Sequence, residues 1–252
     1  MAFFHSPRIV TDGLVLALDA ANNKSYPGSG TVWKDLSGNG NDASLVNSPD
    51  FVSTPFGNAF LGDMINSHIQ IPKTSSTDFT PLDSFTMNIW GYITDIVQWD
   101  QEADLQNRQL STRTTFFGRG STSNSVGIGG SRNFAGTSYS YRWGSRAISS
   151  IELSSVSFNP NEDIPINLTY IYTPTTQFGY VNGVLSTSNS TTAGVDGSFQ
   201  NTFYAMFINR AVPGGNRRYS SGAVFSASMY NRALTAEEIQ QNYNATKGRY
   251  GL

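Results

Sequence analysis

GAVFSASMYNRALTAEEIQQNY, from Gly222 to Tyr243, predicts one β-strand that runs into one short helix. In its first half, side chains alternate with period two, which is typical of a strand with one face on a core. One face of this strand would carry Ala223, Phe225, Ala227 and Met229. The other face would carry Val224, Ser226, Ser228 and Tyr230.

The start of the helix is marked by Thr235, with Glu238 three residues later. This spacing predicts a capping box, in which each side chain binds a backbone N–H of the other residue. Glu237 and Glu238 also suit the positive end of the helix dipole. Ile239 and Tyr243, four residues apart, give one apolar stripe, which predicts a helix that covers an edge of a β-sandwich.

Three stretches carry a family resemblance: SMYNRALTAEEIQQNYNATKGRYGL at the C-terminal end, TDGLVLALDAANNKSYPGSGTVWKDLSGNGNDASLVNSP (Thr11–Pro49), and YVNGVL (Tyr180–Leu185). Together they resemble laminin-G-like domains of the concanavalin A-like lectin/glucanase superfamily, most closely those of tailed-phage virion proteins. The resemblance implies a single laminin-G-like jelly-roll domain over residues 12–252, and the residues before it, 1–11, are predicted to form an N-terminal arm. It also implies that Leu14–Leu18 pairs with Ala223–Tyr230.

Composition limits the classes of function. The chain has 252 residues with 13% charged residues and a formal net charge of −2, which argues against binding nucleic acid through bulk charge. It has no cysteine, so disulfides and cysteine-ligated metals are excluded. No segment has the layout of a signal peptide or the length of a membrane span. We therefore expect synthesis in a host cytoplasm.

Alternation and turn residues predict an all-β protein of two antiparallel sheets packed as a jelly roll, with one short C-terminal helix. Phe85–Ile93 is predicted to be a central strand under a covering loop. Asn182-Gly183 predicts a type I′ hairpin turn. The Ser/Thr tract Ser186–Thr192 is predicted to be a loop.

The first residues are predicted to form an arm. Phe3 and Phe4 precede any regular pattern, and two adjacent exposed phenylalanines would be a liability in a free monomer. One interpretation is an arm that docks on a neighbouring subunit in a homo-oligomer. The alternative is a frayed or edge-packed terminus.

Catalytic chemistry finds little support. Glycoside hydrolysis needs two carboxyl groups that flank the scissile bond. Sandwich glucanases carry them as Glu-x-Asp-x-x-Glu on one strand, and the glutamates of this chain do not form that pattern: Glu102, Glu152, Glu162, Glu237 and Glu238. His68 is interpreted as a surface strand residue. We therefore predict that the chain is not an enzyme.

A calcium site is a weaker possibility. Asp35, Ser37, Asn39 and Gly40 match the start of an EF-hand loop, but Val46 stands where the bidentate carboxylate is needed. This stretch is therefore predicted to be a tight turn. Laminin-G-like domains often hold calcium at a rim of the sandwich, and the resemblance makes Asp63 the candidate ligand.

Glycan binding is the main candidate for a site. Aromatic rings stack on sugar faces while Arg binds hydroxyl groups, and such a set is offered by Tyr139, Tyr141, Arg142, Trp143 and Arg146. The alternative is that the aromatic residues belong to the core and the arginines to a solvated face. A third possibility is that this arginine-rich region docks on an acidic patch of a capsid or tail protein.

The resemblance predicts a non-enzymatic structural protein on the exterior of a phage virion, as a capsid decoration or a head or tail fibre component. Its partners would be other virion proteins. The alternative function is a carbohydrate-binding module that recognises host-surface polysaccharide.

Overall fold

A computed structural model describes residues 7–63, 66–98, 112–120, 124–132, 139–147, 149–152, 156–158, 163–190, 203–209 and 218–252. These residues form two antiparallel nine-stranded sheets and one α-helix, α1 (Ala236–Thr246), which is followed by a 3₁₀ turn over Lys247–Tyr250. In chain order the strands are β1 (Leu14–Asp19), β2 (Val32–Trp33), β3 (Ala43–Val46), β4 (Asp50–Thr54), β5 (Gly57–Asp63), β6 (His68–Pro72), β7 (Phe85–Gln98), β8 (Thr112–Gly120), β9 (Asn124–Arg132), β10 (Tyr139–Ala147), β11 (Ser149–Glu152), β12 (Val156–Phe158), β13 (Ile166–Tyr172), β14 (Thr176–Val181), β15 (Val184–Ser190), β16 (Phe203–Met206), β17 (Ile208–Asn209) and β18 (Arg218–Tyr230).

The first sheet has the order β15-β14-β13-β7-β18-β5-β4, with β1 and β17 also paired to β18. The second has the order β11-β10-β9-β8-β16-β6-β3-β2, with β12 paired to β10. The prediction of an all-β protein with two antiparallel sheets and a short C-terminal helix is thereby confirmed. The jelly-roll connectivity and the division into arm and domain stay predictions.

The first strand, β1, and the last strand, β18, pair in the first sheet. Leu14 lies opposite Tyr230 and Leu18 opposite Ala227, which confirms the strand pairing that the resemblance implied. Before β1, the backbone N–H of Val10 donates to Asn242 Oδ1 at 2.8 Å, so this segment is held against α1. Phe3 and Phe4 of the predicted docking arm lie outside the described residues.

The main core lies between the two sheets. On β7, Phe85, Met87 and Ile89 are fully buried and meet residues such as Ile69 and Phe117 of the second sheet. Each fully buried side chain of this kind stabilises the fold by about 1.5–3 kcal/mol. β7 lies between β13 and β18, as the alternation predicted for a central strand.

The outer face of the first sheet is covered by the helix and not by a loop, which corrects the prediction for β7. Trp90 stacks on Tyr250 at 4.3 Å and on Tyr243 at 5.7 Å between ring centroids. Its Nε1–H donates to Thr246 Oγ1 at 2.9 Å. Because a large apolar ring stands on this face, the C-terminal segment packs across the sheet and does not merely cover an edge.

The capping box at the start of α1 is confirmed. The Glu238 backbone N–H donates to Thr235 Oγ1 at 3.3 Å, and the Thr235 N–H donates to Glu238 Oε2 at 2.9 Å. Arg232 also binds both carboxylate oxygens of Glu238, at 2.6 and 2.7 Å. These bonds lower the pKa of Glu238. The carboxyl group is thus engaged in fixing the end of the helix.

A β-bulge in β18 overturns the predicted faces of this strand. Ala223 and Phe225 pack in an outer cluster with Trp90, whereas Ala227 and Met229 lie in the core between the sheets. The register with β7 shifts between Val224 and Ser226. One extra residue on the bulged strand reverses the alternation beyond it, so the four predicted residues do not share a face.

The predicted hairpin turn is present, whereas the predictions for the Ser/Thr tract and for His68 are wrong. Asn182 and Gly183 have φ values of 49° and 78°, as a type I′ turn requires. The Ser/Thr tract predicted as a loop instead continues β15 through Ser190. His68 is only 8% exposed, so its interpretation as a surface residue is wrong. It starts β6, which lies between β16 and β3.

Candidate functional site

The five residues that the sequence singled out for glycan binding lie on β10, which is followed in the second sheet by β9 and β8. Along β9, Val126 and Ile128 are 2% and 1% exposed and belong to the core, whereas the alternating residues Gly127 and Gly129 are partly exposed. On β10, Tyr141 is 2% exposed and its neighbour Ser140 is partly exposed. Alternate positions of these strands therefore define an inner face on the core and an outer face.

Tyr141 belongs to the inner face. Its ring stacks with that of Phe116 at 6.3 Å between centroids, and its hydroxyl oxygen accepts a hydrogen bond from the Ile93 backbone N–H at 3.2 Å. Burial raises the pKa of the Tyr141 hydroxyl. A side chain in this position has no surface to offer a sugar ring, so Tyr141 is removed from the predicted glycan set.

The strand register divides the other four predicted residues between the two faces. Trp143 lies opposite the core residue Ile128, and Tyr139 shares its alternation. Arg142 lies opposite Gly129 and Arg146 opposite Ser125, which are outer-face positions. β10 thus places the aromatic and the basic residues on opposite faces, because neighbouring positions of a strand alternate. Tyr141 is therefore separated from the outer face, and the roles of the other four residues stay predictions.

A bulge in β8 decides which arginines of this strand share the outer face. The register with β9 shifts between Thr115 and Phe117, and both Phe116 and Phe117 are fully buried. Arg113, before the bulge, lies opposite Ser131 on the outer face. Arg119, after it, lies opposite Val126 on the inner face. Without the bulge, the even spacing of six residues would place both arginines on one face.

Arg119 has a structural role. Its side chain is 1% exposed and forms an ion pair with Asp78 at 3.2 Å. Its guanidinium also lies over the ring of Tyr204, 5.7 Å from the centroid. Burial opposes ionisation of Asp78, but the hydrogen bonds from Lys73 and Arg119 lower its pKa overall. Arg119 therefore ties the loop that contains Asp78 to the core residue Tyr204.

Asp63, the predicted calcium ligand, is exposed at the end of β5. Its Oδ1 accepts hydrogen bonds from the backbone N–H groups of Asn66 and Ser67, both at 3.0 Å. Among the described residues, no group of three or more His, Cys, Asp or Glu side chains could hold a metal ion. Asp63 is thus engaged in a turn, and its role as a calcium ligand stays a prediction.

The turn at Asp35 is held by the same kind of bond. Asp35 Oδ1 accepts from the backbone N–H groups of Ala17 at 2.9 Å and Ser37 at 2.8 Å, and Oδ2 accepts from that of Asn41 at 3.0 Å. Val46 lies at the end of β3. These bonds tie the tight turn that the sequence predicted to the first strand of the sheet.

Three of the five glutamates weighed for catalysis lie in the described part of the chain. Glu102 and Glu162 lie outside the described residues, and Glu152 ends β11. Glu237 and Glu238 lie in the first turn of α1.

α1 and the 3₁₀ turn, the helical segments of the described part, lack the length and apolar character of a membrane-crossing helix.

Comparisons with known proteins point to the fold. No protein-family model matches the chain, and no curated protein matches it. The chain is similar in structure to the binding domain of Paraclostridial Mosquitocidal Protein 1, with 17% identity, a TM-score of 0.62, and coverage of 93% of this chain and 52% of that one. It is also similar to the binding domain of Botulinum neurotoxin DC, solved in complex with rat synaptotagmin II (13% identity, TM-score 0.60, 94% and 52% covered) and with SialylT (12%, 0.60, 94% and 52%).

A third likeness is to an enzyme, a mutant of Trypanosoma rangeli sialidase displaying trans-sialidase activity. The identity is 18% and the TM-score 0.61, with 96% of this chain and 34% of that chain covered. The chain thus spans about half the length of the toxin binding domains and about a third of the sialidase. At these identities the similarity shows a shared β-sandwich fold and nothing finer.

Proposed function

We propose that the chain is a non-catalytic carbohydrate-binding module that recognises glycans on a cell surface. The observation that carries this proposal is the contrast between the two sheets. The outer face of the first sheet is covered by α1 and its aromatic partners, whereas the outer face of β8–β10 is partly exposed at Gly127, Gly129 and Ser140. A partly exposed sheet face of glycine and serine positions is accessible to a ligand rich in hydroxyl groups.

The structural likeness to toxin binding domains supports a recognition function. One of them was solved with SialylT and, separately, with a protein, synaptotagmin II. Their identities to this chain are under 20%, so they support the class of function and transfer no ligand.

A glycan array with the purified chain tests the proposal. We expect saturable binding to a subset of immobilised glycans. Trp143→Ala is a poor probe of this binding, because position 143 lies opposite the core residue Ile128 in the strand register. A folded chain that leaves a broad array blank would contradict the proposed function.

The competing class is a glycoside hydrolase, which the likeness to a sialidase raises. An assay of sugar release from bacterial polysaccharides and sialosides separates the two classes. We expect no release above that of buffer. Release that is abolished by Glu102→Gln or Glu162→Gln would assign a catalytic carboxyl group and would overturn the non-catalytic proposal.

The place of the module is a separate proposal. The sequence resemblance to phage virion proteins favours the exterior of a tailed-phage particle, with other virion proteins as partners and synthesis in the host cytoplasm. Mass spectrometry of purified particles is the test. Infectious particles that lack this chain would contradict the virion location and would leave the glycan proposal intact.

A further inference from the structure

The outer face of β8–β10 has a regular arrangement of residue types. The middle strand, β9, contributes only small residues: Ser125, Gly127, Gly129 and Ser131. On β8, the residues opposite these four are Arg113, Thr115, Gly118 and Gly120. On β10, the residues opposite them are Ser140, Arg142, Gly144 and Arg146. The face is therefore a strip of small residues along β9 with arginine positions on both sides.

Close packing explains why one position of this strip, Gly127, is a glycine. Gly127 has a φ of 145°, and a Cβ atom there would lie 2.4 Å from the carbonyl oxygen of Phe117. β8 and β9 approach too closely at the bulge for a larger residue. This close approach requires a glycine at position 127, so no side chain rises from the strip at that position.

Positive charge predominates in this region. Residues 105–150 contain six arginines and no acidic residue, in a chain whose formal net charge is −2. Arg119 is paired with Asp78 on the inner side, and Arg113, Arg142 and Arg146 occupy outer-face positions. One acidic position shares this face, because Glu152 on β11 lies opposite Gly144. Three arginine positions beside one glutamate position leave an excess of positive charge, which attracts an anionic ligand.

The spacing of these positions indicates a polymer. Arg142 and Arg146 are four residues apart on β10, which places their Cα atoms about 13 Å apart. Arg113 lies two strands away, a lateral distance of about 10 Å. A single carboxylate or sulfate group would engage two of these positions only if both arginine side chains extended towards each other, whereas acidic groups repeated along a chain match the spacing directly. A chain with charges repeated along its length can engage all three.

The residue types on this face favour a glycan over the other polyanions. Protein interfaces are built around buried aromatic and apolar anchors, and the outer-face positions of β8–β10 are Gly, Ser, Thr and Arg. Single-stranded nucleic acids are bound by stacking on aromatic rings, which these positions also lack. Serine and arginine can bind hydroxyl and carboxylate groups of a sugar chain.

Building on the proposed glycan-binding function, we propose that the ligand is an extended acidic polysaccharide that lies along β9 and is held by Arg113, Arg142 and Arg146. The arginine positions select the acidic groups of the polymer. The strip of glycine and serine allows the sugar backbone to lie close to the sheet.

Binding of the full chain to polygalacturonate, with its methyl-esterified form as the matched uncharged polymer, tests the proposal. We expect saturable binding to polygalacturonate and at least tenfold weaker binding to the ester. The double variant Arg142→Gln/Arg146→Gln should bind polygalacturonate at least tenfold more weakly, because it removes two charge-assisted contacts. The control Arg8→Gln/Lys24→Gln removes the same charge from two exposed positions outside this face and should bind as the wild type does.

The outcomes separate this proposal from the function on which it rests. Equal binding of the acid and the ester, or wild-type affinity of the folded double variant, would overturn the acidic-polymer site while leaving glycan recognition in place. Failure to bind both these polymers and a glycan array would overturn both. Binding to polyglutamate or duplex DNA in preference to polygalacturonate, with the same arginine dependence, would reassign the face to another class of polyanion.

Discussion

Removing the hydroxyl group of Tyr141 should lower stability without changing glycan affinity. The hydroxyl oxygen accepts the Ile93 backbone N–H at 3.2 Å in the core, while the ring packs on Phe116. Tyr141→Phe keeps the ring and deprives a buried N–H of its acceptor, which costs about 1–3 kcal/mol. Since 3.2 Å is at the long end for such a bond, we expect a loss of about 1–2 kcal/mol.

Urea denaturation of the wild type and the variant measures this loss directly. In a chain of 252 residues, each 1 kcal/mol corresponds to a melting temperature lowered by roughly 2–4 °C. Ser140→Ala, at the adjacent outer-face position, is the control and should change stability by no more than about 0.5 kcal/mol. A Tyr141→Phe variant that is as stable as the wild type but binds glycan more weakly would refute the assignment of Tyr141 to the core.

Three further predictions concern the framework of the fold. Gly222→Ala should destabilise by roughly 3 kcal/mol or more in urea, because φ is 142° and the new Cβ would lie 2.0 Å from a backbone oxygen of β7. Gly248→Ala, with open space around it, should be close to neutral, and similar losses for both variants would contradict the strain argument. Asp78→Asn should cost about 1–2 kcal/mol, since a buried arginine loses its charged partner while the carboxyl itself is partly solvated, and an unchanged midpoint would count against that pair. Burial raises the pKa of Tyr204 and of Tyr250 to about 12, so the unfolded chain loses these protons near pH 10 while the folded chain keeps them. Stability should therefore fall from about pH 10 to pH 12, by up to roughly 1.4 kcal/mol per pH unit for each tyrosine, and a flat profile measured by denaturation over this range would disprove the effect.

Local signals in the sequence were sufficient for much of the fold. The capping box at Thr235 and Glu238 and the positive φ values at Asn182 and Gly183 depend on a few adjacent residues, and the structure has both. Alternation also identified β7 as a central strand, because three or four residues on each face carry the pattern. These features are determined by short-range chemistry that a sequence displays directly.

The faces of the long strands could not be predicted with the same success. Bulges in β18 and β8 each add one residue to a strand, and all positions beyond the bulge change face. Neither bulge has a signal in the alternation, since Phe116 and Phe117 are both apolar and Val224 and Phe225 are as well. The position of α1 also could not be predicted from local sequence. It depends on packing against Trp90, which lies on the outer face of the first sheet and is distant from α1 in sequence.

The candidate site was predicted in part. The sequence located the arginine-rich region and named Arg142 and Arg146, but grouped them with Tyr139, Tyr141 and Trp143. Adjacent positions on one strand belong to opposite faces, and the burial of Tyr141 decides which face is the core. Arg113 was missed as a member of the surface because its place beside Ser131 depends on the strand pairing.

The most direct test of the account is to locate the ligand on the protein. The chain has no cysteine, so a single Ser140→Cys variant can carry one environment-sensitive fluorophore on the outer face of β8–β10, and Ser190→Cys can carry the same label on the exposed strand β15. Titration with polygalacturonate should change the emission of the label at position 140 in a saturable manner and leave that at position 190 unchanged. A response at position 190 with none at position 140 would contradict the placement of the ligand on this face.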